Sequence, residues 1–188
     1  MPPPVVVVGA SVAGVSAVDE LREAGFDGEV VLVGAEPQLP YDRPPLSKEL
    51  LQGARSPAEL WLRPPSWYED HGVTLELGVR AVALDPAAAE IALDDGRALR
   101  YRAALVATGA SPREIPGLAG IEGVHLLRTL DDATRLAEVL ERGGRVTVVG
   151  GGFIGLEVAA SARARGCAVT VLEARESVLA DAVGPAVG

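Results

Sequence analysis

The sequence has 188 residues, of which 48% are hydrophobic and 23% are charged. This composition is typical of a globular protein with one domain or two small ones, and it excludes a disordered chain. The net charge of −9 argues against nucleic acid or an anionic membrane as the main partner. The sequence has neither an apolar run of about 18 residues nor the basic region of a signal peptide, so we expect a cytoplasmic protein.

Cysteine and histidine are too scarce for a metal site or a disulfide framework. Cys167 is the single cysteine, which excludes an internal disulfide, a redox pair and a cysteine zinc site. The two histidines, His71 and His125, do not have the spacing of metal ligands. We therefore expect no metal, and we expect Cys167 to be buried and inert.

The chain opens with a strand, a glycine-containing turn, a helix and a second strand. Val5–Val8 predicts a buried strand of β-branched residues, and Gly9–Gly14 predicts the turn. Apolar residues then recur at helical spacing as far as Gly25, which predicts a helix C-cap. Val30–Val33 predicts the next buried strand, and Glu36 lies just past it.

The middle of the chain differs in character. Tyr41–Lys48 predicts a loop stiffened by prolines, and residues 64–71 predict a short helix. Short strands are expected between residues 79 and 101, with Asp95–Gly96 as the turn of a hairpin. Ala103–Val106 predicts a further buried strand.

A connection and a capped helix follow that strand. Ser111–Gly120 is rich in proline and glycine, which indicates a connection between domains. Thr129 and Asp132 form a capping-box pattern, which predicts a helix from there to about Gly143.

The opening unit then repeats. Arg145–Val149 predicts a strand, Gly150–Gly155 a turn, and the following Ala-rich segment a helix that ends at Gly166. Val169–Leu172 predicts the returning strand, and Glu173 follows it directly. In both copies the first glycine and the closing glycine are 16 residues apart. Two such units predict two parallel sheets with right-handed crossovers.

A glycine turn between a strand and a helix lets backbone N–H groups approach a pyrophosphate, and an acidic residue after the second strand can bind ribose hydroxyls. Gly150, Gly152, Gly155 and Glu173 satisfy this pattern. The first copy is less regular, since Ser11 stands at the middle glycine position. The alternative for either copy is a tight turn that binds nothing. Two dinucleotides in one chain would be a nicotinamide and a flavin.

Two charged residues are candidates for chemistry. Lys48 is the single lysine beside 16 arginines, which suggests that its position requires a compact ammonium group. We expect Glu157 in the first turn of the second repeat's helix, where the helix dipole favours a carboxylate. The alternatives are a solvated surface lysine and simple charge complementarity at a helix N-terminus.

Several motifs together resemble one family of flavoenzymes, the FAD-dependent NAD(P)H:ferredoxin reductases of bacterial oxygenase systems. The motifs are Gly9–Gly14, Tyr41–Lys48, Ala107–Gly109, Leu127–Thr129 and Gly150–Glu157. The Arg-Pro-Pro-Leu-Ser-Lys segment is the most specific of them, because the glycine motifs are shared by the whole glutathione-reductase-like superfamily. The resemblance covers nearly the whole chain.

The resemblance implies an α/β fold of the glutathione-reductase-like type, with two Rossmann-type dinucleotide-binding units and a small β-meander insertion. It implies an FAD-binding domain at residues 1–112 and an NAD-binding domain at residues 113–188. Family members are about twice as long, so it also implies a fragment or a truncated gene, with both units incomplete.

The resemblance assigns roles to individual residues. The expected contacts to FAD are Gly9, Ser11, Ala13, Gly14, Glu36, Arg43, Lys48, Ala81, Thr108, Gly109 and Arg128. The expected nucleotide contacts in the second repeat are Gly150, Gly152, Phe153, Ile154, Gly155, Glu157 and Glu173. Lys48 would lie beside the isoalloxazine, and Glu157 would contact Lys48 and the nicotinamide carboxamide. Glu173 would select NADH, although Arg175 nearby works against that preference.

The implied activity is hydride transfer from NADH to FAD, followed by single-electron transfer to a ferredoxin or rubredoxin. Disulfide reductases carry a cysteine pair after the first glycine motif, and NADH peroxidases carry one cysteine near Ser47; neither is present here. Electrons would therefore leave the flavin directly. The alternatives are the flavin subunit of a nitrite reductase, an NADH oxidase, or a non-catalytic nucleotide-binding module.

Overall fold

The computed structural model of the protein describes residues 2–184, except for the side chain of Asp181. These residues divide into two compact units. The first unit contains the residues up to Asp42 and Trp61–Ala110, and the second contains Arg43–Leu60 and the residues from Ser111 onward. The strands are β1 (Val5–Val8), β2 (Val30–Gly34), β3 (Val73–Leu77), β4 (Ala81–Asp85), β5 (Glu90–Leu93), β6 (Ala98–Arg100), β7 (Ala103–Val106), β8 (Arg145–Val149) and β9 (Ala168–Leu172). The helices are α1 (Val12–Glu23), α2 (Pro65–Asp70), α3 (Leu130–Glu141), α4 (Phe153–Ala164) and α5 (Ala180–Val183).

The first unit is built on a four-stranded parallel sheet in the order β3-β2-β1-β7. In the central strand β1, Val5 is paired with Val30 of β2 on one side and with Ala103 of β7 on the other. The carboxyl ends of β1, β2 and β7 therefore share one edge of the sheet. This edge is where a doubly wound α/β fold binds its ligands.

Both faces of the sheet are covered at β1 and β2, which explains the unbroken runs of apolar residues in these two strands. On one face Val7 and Leu32 pack against Val15 of α1 and Tyr68 of α2. On the other face Val6, Val8, Val31 and Val33 pack against Ile91 and Leu93 of β5. A parallel strand that is buried on both faces carries apolar residues at every position rather than at alternate ones.

The predicted β-meander is present. Strands β4, β5 and β6 form an antiparallel sheet, in which Glu90 is paired with Arg100. The Asp95–Gly96 turn connects β5 to β6, as the hairpin pattern predicts. Its position on the second face of the parallel sheet makes the meander part of the core of the first unit.

The second unit contains the parallel strand pair β8-β9. Helix α3 begins with the predicted capping box, in which the Thr129 side chain accepts from the Asp132 N–H and the Asp132 side chain accepts from the Thr129 N–H. Leu136 and Leu140 of α3 pack with Val158 of α4 and with Cys167. Cys167 is a free, fully buried thiol, as expected from the sequence.

The segment Arg43–Leu60 contains more structure than the predicted loop, since it includes two short 3₁₀ helices, Pro44–Ser47 and Pro57–Leu60. Leu51 belongs to the apolar core of the second unit, beside Leu136 and Val158. The Arg165 side chain donates to the Leu51 carbonyl and extends this attachment. The division expected at residue 112 joins this segment to the first domain, whereas its packing groups it with the second unit.

None of the helices between residues 2 and 184 is long and apolar enough to cross a membrane. The other predicted elements agree with the structure to within one or two residues at their ends. The prediction that Ala103–Val106 is buried is wrong, because β7 is an edge strand in which Leu105 is 42% exposed and Val106 62% exposed. Helix α3 ends at Glu141, shortly before the expected Gly143.

One buried hydroxyl group gives a test of this core. The Tyr68 side chain is 1% exposed, and its hydroxyl has no hydrogen-bond partner among the described residues. Burial raises the pKa of this phenol to about 12. We expect Tyr68→Phe to raise the free energy of unfolding by about 1 kcal/mol, because it removes an unsatisfied buried polar group. Urea denaturation measures this change.

The matched control is Tyr101→Phe, because the Tyr101 hydroxyl is exposed and makes only a long contact of 3.5 Å to the Asp85 carbonyl. This variant should leave the free energy of unfolding unchanged within about 0.5 kcal/mol. A loss of stability in Tyr68→Phe would show that the hydroxyl has a partner in solution.

Candidate functional site

The first glycine turn is fixed by two close backbone approaches. The N–H of Gly9 donates to the Val33 carbonyl at 2.8 Å, and the backbone has a φ of +125° there. A Cβ at Gly9 would collide with the carbonyl of Ala107, and a Cβ at Gly14 would collide with the carbonyl of Gly9. Both positions therefore require glycine, and together they hold the start of α1 against the ends of β1 and β7.

The second turn has the same construction. The N–H of Gly150 donates to the Leu172 carbonyl at 2.8 Å with a φ of +109°, and a Cβ at Gly155 would collide with the carbonyl of Gly150. The sequence repeat is therefore a repeat of backbone geometry. It places the start of α4 at the ends of β8 and β9, as the start of α1 is placed at the ends of β1 and β2.

The middle position of each turn is less restricted. Ser11 and Gly152 are the N-caps of α1 and α4, and both have extended backbone with no side-chain capping bond. A Cβ at Gly152 would meet nothing within 4 Å. The equivalent position of the second turn therefore has space for a side chain, as the first turn has for Ser11.

The first turns of both helices offer hydrogen-bond donors. The first N–H groups of a helix have no partner within the helix, and the helix dipole adds partial positive charge there. Ala13 lies in this turn of α1, and Phe153 and Ile154 lie in that of α4. All three side chains are exposed, so both helix starts are at the surface of their units. No acidic side chain occupies either first turn.

The expectation that Glu157 lies in the first turn of its helix is wrong. Helix α4 begins at Phe153, after the N-cap Gly152, so Glu157 lies in the second turn and not in the first. The helix dipole acts mainly on the first turn. The partners of Glu157 are instead Ser47 and Lys48, two side chains of the proline-rich segment Arg43–Leu60.

Glu157 forms an ion pair with Lys48, with 3.0 Å between Oε2 and Nζ. The same carboxylate oxygen accepts a hydrogen bond from the Ser47 hydroxyl at 2.5 Å. The Ser47 hydrogen bond is the leading cause that lowers the pKa of Glu157, and Lys48 lowers it further against the opposing effect of burial. The structure thus brings together the two residues that the sequence suggested for catalysis.

Two acidic residues that follow strands are held by different partners. In the first unit, Glu36 Oε2 accepts from the hydroxyl of the buried Tyr41 at 2.5 Å. In the second unit, Glu173 accepts from the Gly151 N–H at 2.6 Å and from the Arg175 N–H at 2.8 Å. The backbone bonds from Arg175 and Gly151 lower the pKa of Glu173. Both carboxylates are fixed near the carboxyl end of a strand, where a ribose of a dinucleotide would be bound.

A cavity of about 180 Å³ adjoins the second turn. Its walls include Gly152, Phe153, Glu173, Arg175 and Ser177. The Ser177 hydroxyl is buried and has no hydrogen-bond partner among the described residues. An unsatisfied donor beside a fixed carboxylate fits a ligand that carries hydroxyl groups.

The two arginines expected at the FAD site meet within the second unit. Arg43 Nη1 donates to the Arg128 carbonyl at 2.6 Å, and the Arg128 N–H donates to Asp132 at 3.1 Å. The start of α3 therefore fixes Arg128, and Arg128 in turn fixes Arg43.

The remaining expected residues lie in the first unit. Thr108 and Gly109 are exposed and follow β7, next to the Ala107 carbonyl that Gly9 approaches. Ala81 begins β4 and is partly buried against the second face of the sheet, in the cluster that includes Val8.

Sequence reasoning missed the partners that hold the predicted residues. Ser47 is next to Lys48 in an identified motif, so its proximity was a usable signal. Tyr41 opens the same motif. For Ser177 and for the Gly151 N–H there was no signal, because their roles depend on where the chain after β9 turns back.

Comparison with known proteins supports this geometry. Residues 3–188 match the model of the pyridine nucleotide-disulphide oxidoreductase family. The chain is 46% identical over 180 residues to the ferredoxin–NAD(+) reductase component of the p-cumate 2,3-dioxygenase system of Pseudomonas putida, covering 95% of this chain and 44% of that protein. It is 42% identical over 181 residues to rhodocoxin reductase of Rhodococcus erythropolis, covering 95% and 42%.

A solved structure has the same fold. The crystal structure of the covalent putidaredoxin reductase–putidaredoxin complex matches with a TM-score of 0.93 and 38% identity, over 98% of this chain and 45% of that chain. The protein thus spans less than half the length of the relatives it matches. The glycine-turn geometry, the family match over residues 3–188 and the shared fold lead to one conclusion: the chain belongs to the pyridine nucleotide-disulphide oxidoreductase family.

Proposed function

We propose that the protein transfers hydride from NADH to FAD and then passes single electrons to a ferredoxin or rubredoxin. The observation that carries the proposal is the pair of glycine turns with the same backbone geometry, since two dinucleotide sites fit a nicotinamide donor and a flavin acceptor. The names of the relatives support the identity of the acceptor, because they are reductases of ferredoxin and of rhodocoxin. The proposed location is the cytoplasm.

Residues 1–112 are proposed to form the FAD-binding domain, and residues 113–188 the NAD-binding domain. The turn residues Gly9, Ser11, Ala13 and Gly14 would line the pyrophosphate, with the helix-start N–H groups of Ala13 and Gly14 as its donors, and the fixed carboxylate of Glu36 would accept from the ribose hydroxyls. The further contacts that we propose for FAD are Arg43, Ala81, Thr108, Gly109 and Arg128.

The second unit is proposed to bind NADH. The N–H groups of Gly152, Phe153 and Ile154 would bind its pyrophosphate, and Glu173 would accept from the adenosine ribose. Since backbone bonds keep Glu173 ionised, its charge would repel the 2′-phosphate of NADPH. Ser177, whose buried hydroxyl has no hydrogen-bond partner among the described residues, lines the same cavity.

Lys48 and Glu157 are the proposed catalytic residues. When bound, the two cofactors supply hydride transfer and storage of the electron pair. Lys48 supplies a fixed ammonium that stabilises the negative charge arriving with hydride, and Glu157 holds that ammonium in place and orients the nicotinamide carboxamide. Cys167 is buried, so it does not serve as a thiol relay for the electrons.

The chain spans less than half the length of its relatives, so the proposal is tested in a protein of the relatives' full length that carries these residues. It is loaded with FAD, and NADH is added without oxygen. We expect a yellow protein whose absorbance near 450 nm is bleached by NADH and restored by an oxidised ferredoxin. Bleaching that is restored only by oxygen would indicate an oxidase. Nucleotide binding with no bleaching would overturn the proposed activity in favour of a binding module.

Glu173 gives a prediction on nucleotide selection. We expect the protein to bind NADH more tightly than NADPH by roughly tenfold or more, because a carboxylate beside the 2′-phosphate is unfavourable. Glu173→Ser should reduce this preference, and Glu173→Arg should reverse it. Isothermal titration calorimetry with both nucleotides gives the ratio of dissociation constants.

Glu138→Ser is the matched control, because Glu138 is an exposed glutamate of α3. It should leave the NADH/NADPH ratio unchanged. A wild-type protein that prefers NADPH would show that Glu173 has been assigned the wrong role.

Lys48 and Glu157 give a prediction on the rate of flavin reduction. We expect Lys48→Ala to slow reduction by NADH roughly 10- to 1000-fold, because a charge that stabilises the transition state is lost. Lys48→Arg should restore the rate only in part, because a guanidinium is larger and planar. Stopped-flow absorbance under single-turnover conditions measures these rates.

The ion pair should act as a unit. Glu157→Ala should slow the same step, and the double variant should lose less than the product of the two single losses. An unchanged rate in Lys48→Ala would assign this lysine to the solvated surface.

A further inference from the structure

We infer that Ser47 is a positioning residue for the catalytic pair: its hydroxyl fixes the Glu157 carboxylate in the orientation in which that carboxylate holds Lys48. This inference rests on the proposed function, because the orientation of the pair affects a reaction only in a protein that transfers hydride.

The inference begins with one shared oxygen atom. Glu157 Oε2 accepts from Ser47 Oγ at 2.5 Å and lies 3.0 Å from Lys48 Nζ. The Lys48 and Glu157 side chains are 40% and 34% exposed, whereas Ser47 is 5% exposed. A half-exposed ion pair is weakly held by itself, because solvent screens it and both side chains can rotate. The buried hydroxyl is therefore the fixed member of the group.

Among the described residues, the Ser47 hydroxyl also lies near a second acceptor, the Pro44 carbonyl. Ser47 Oγ is 3.4 Å from the Pro44 carbonyl, against 2.5 Å from Glu157. A hydroxyl group donates one proton, and a hydrogen bond to a carboxylate is stronger than one to a neutral carbonyl. Ser47 therefore donates to Glu157.

Ser47 is itself attached to α4 at a second point. Its carbonyl accepts from the Ser161 hydroxyl at 2.8 Å, and Ser161 is fully buried. Ser161 in turn accepts from Gln52 Nε2 at 3.2 Å. Glu157 and Ser161 are four residues apart on α4, so they lie on one face of the helix. Ser47 thus bonds to two successive turns of that face, and its own position is set by the helix that carries Glu157.

This attachment has an electrostatic consequence. The Ser47 hydrogen bond is the leading cause that lowers the pKa of Glu157, and Lys48 is the charged group among the described residues that lowers it further. A lowered pKa keeps the carboxylate ionised to a lower pH. Without the hydroxyl, Glu157 would become protonated at a higher pH, and it would release Lys48 there.

The first experiment uses the cofactor-free chain. The side-chain carboxyl carbon of Glu157 is titrated by ¹³C NMR in the wild type and in Ser47→Ala. We expect the pKa of Glu157 to rise toward its ordinary value in Ser47→Ala. An unchanged pKa would overturn the inference.

Ser56→Ala is the matched control for this titration. Ser56 Oγ donates to Glu59 Oε2 at 2.7 Å in the same segment, on the exposed surface. This variant removes an equivalent serine–carboxylate bond, so it should raise the pKa of Glu59, which this bond helps to lower, and leave that of Glu157 unchanged.

The second experiment measures flavin reduction by NADH against pH in the FAD-loaded protein. At neutral pH we expect Ser47→Ala to be roughly 5- to 50-fold slower than the wild type, and we expect its loss of rate in acid to begin at a higher pH. Ser47→Thr, which keeps the hydroxyl, should restore the rate. Ser56→Ala should be as fast as the wild type.

The double variant Glu157→Gln with Ser47→Ala separates a loss of stability from a loss of positioning. In Glu157→Gln the carboxylate charge is already absent, so adding Ser47→Ala should slow reduction little further. An equal further loss in both backgrounds would show that Ser47 does not act through Glu157, and it would overturn the inference.

The two proposals fail in different ways. A wild-type protein that NADH does not reduce contradicts the proposed function, and the cofactor-free titration still tests the link between Ser47 and Glu157. A wild-type protein that is reduced, with the same rate and pH profile in Ser47→Ala, contradicts the positioning role alone.

Discussion

The close approach of a helix start to the carbonyl of a glycine is the constraint on which both candidate nucleotide sites depend. Gly14 lies against the carbonyl of Gly9, and Gly155 lies against the carbonyl of Gly150, with no space for a Cβ in either pair. This contact brings each helix start to the carboxyl ends of its strands. At that place both the unsatisfied N–H groups and the helix dipole favour an anionic group. The acidic residues after β2 and β9 then lie at the same edge.

The proline-rich segment is the second organising feature. Two of the prolines of Arg43–Leu60, Pro44 and Pro45, lie in a 3₁₀ helix, and Leu51 anchors this segment in the core of the second unit. Lys48 is therefore carried by a structured segment, so its ammonium meets Glu157 at a defined place. An exposed lysine loses conformational entropy when it forms an ion pair. The Leu51 anchor and the Ser47 hydroxyl reduce this loss, because they already restrict the backbone that carries Lys48 and the carboxylate that it contacts.

The two units hold their acidic residues by different means, although their turns are alike. Glu36 is held by a side chain, the hydroxyl of buried Tyr41, whereas Glu173 is held by backbone N–H groups. A carboxylate bound to backbone N–H groups stays ionised, which suits discrimination against a phosphate group. The same backbone geometry of the turn is thus compatible with different partners for the two carboxylates.

The sequence by itself determined the strands other than β3, the capped helix, the duplicated turns and the catalytic candidates. Those features depend on local patterns: runs of β-branched residues, Thr129 with Asp132, glycines at fixed spacing and a lone lysine among arginines. The tertiary structure alone decided which helical turn carries Glu157, which unit contains residues 43–60, and that Ser47, Tyr41 and Gly151 hold the charged groups. Most of these facts depend on contacts between residues as much as 114 positions apart. Local spacing does not determine such contacts, because the packing of buried residues such as Leu51 and Val158 sets which surfaces meet.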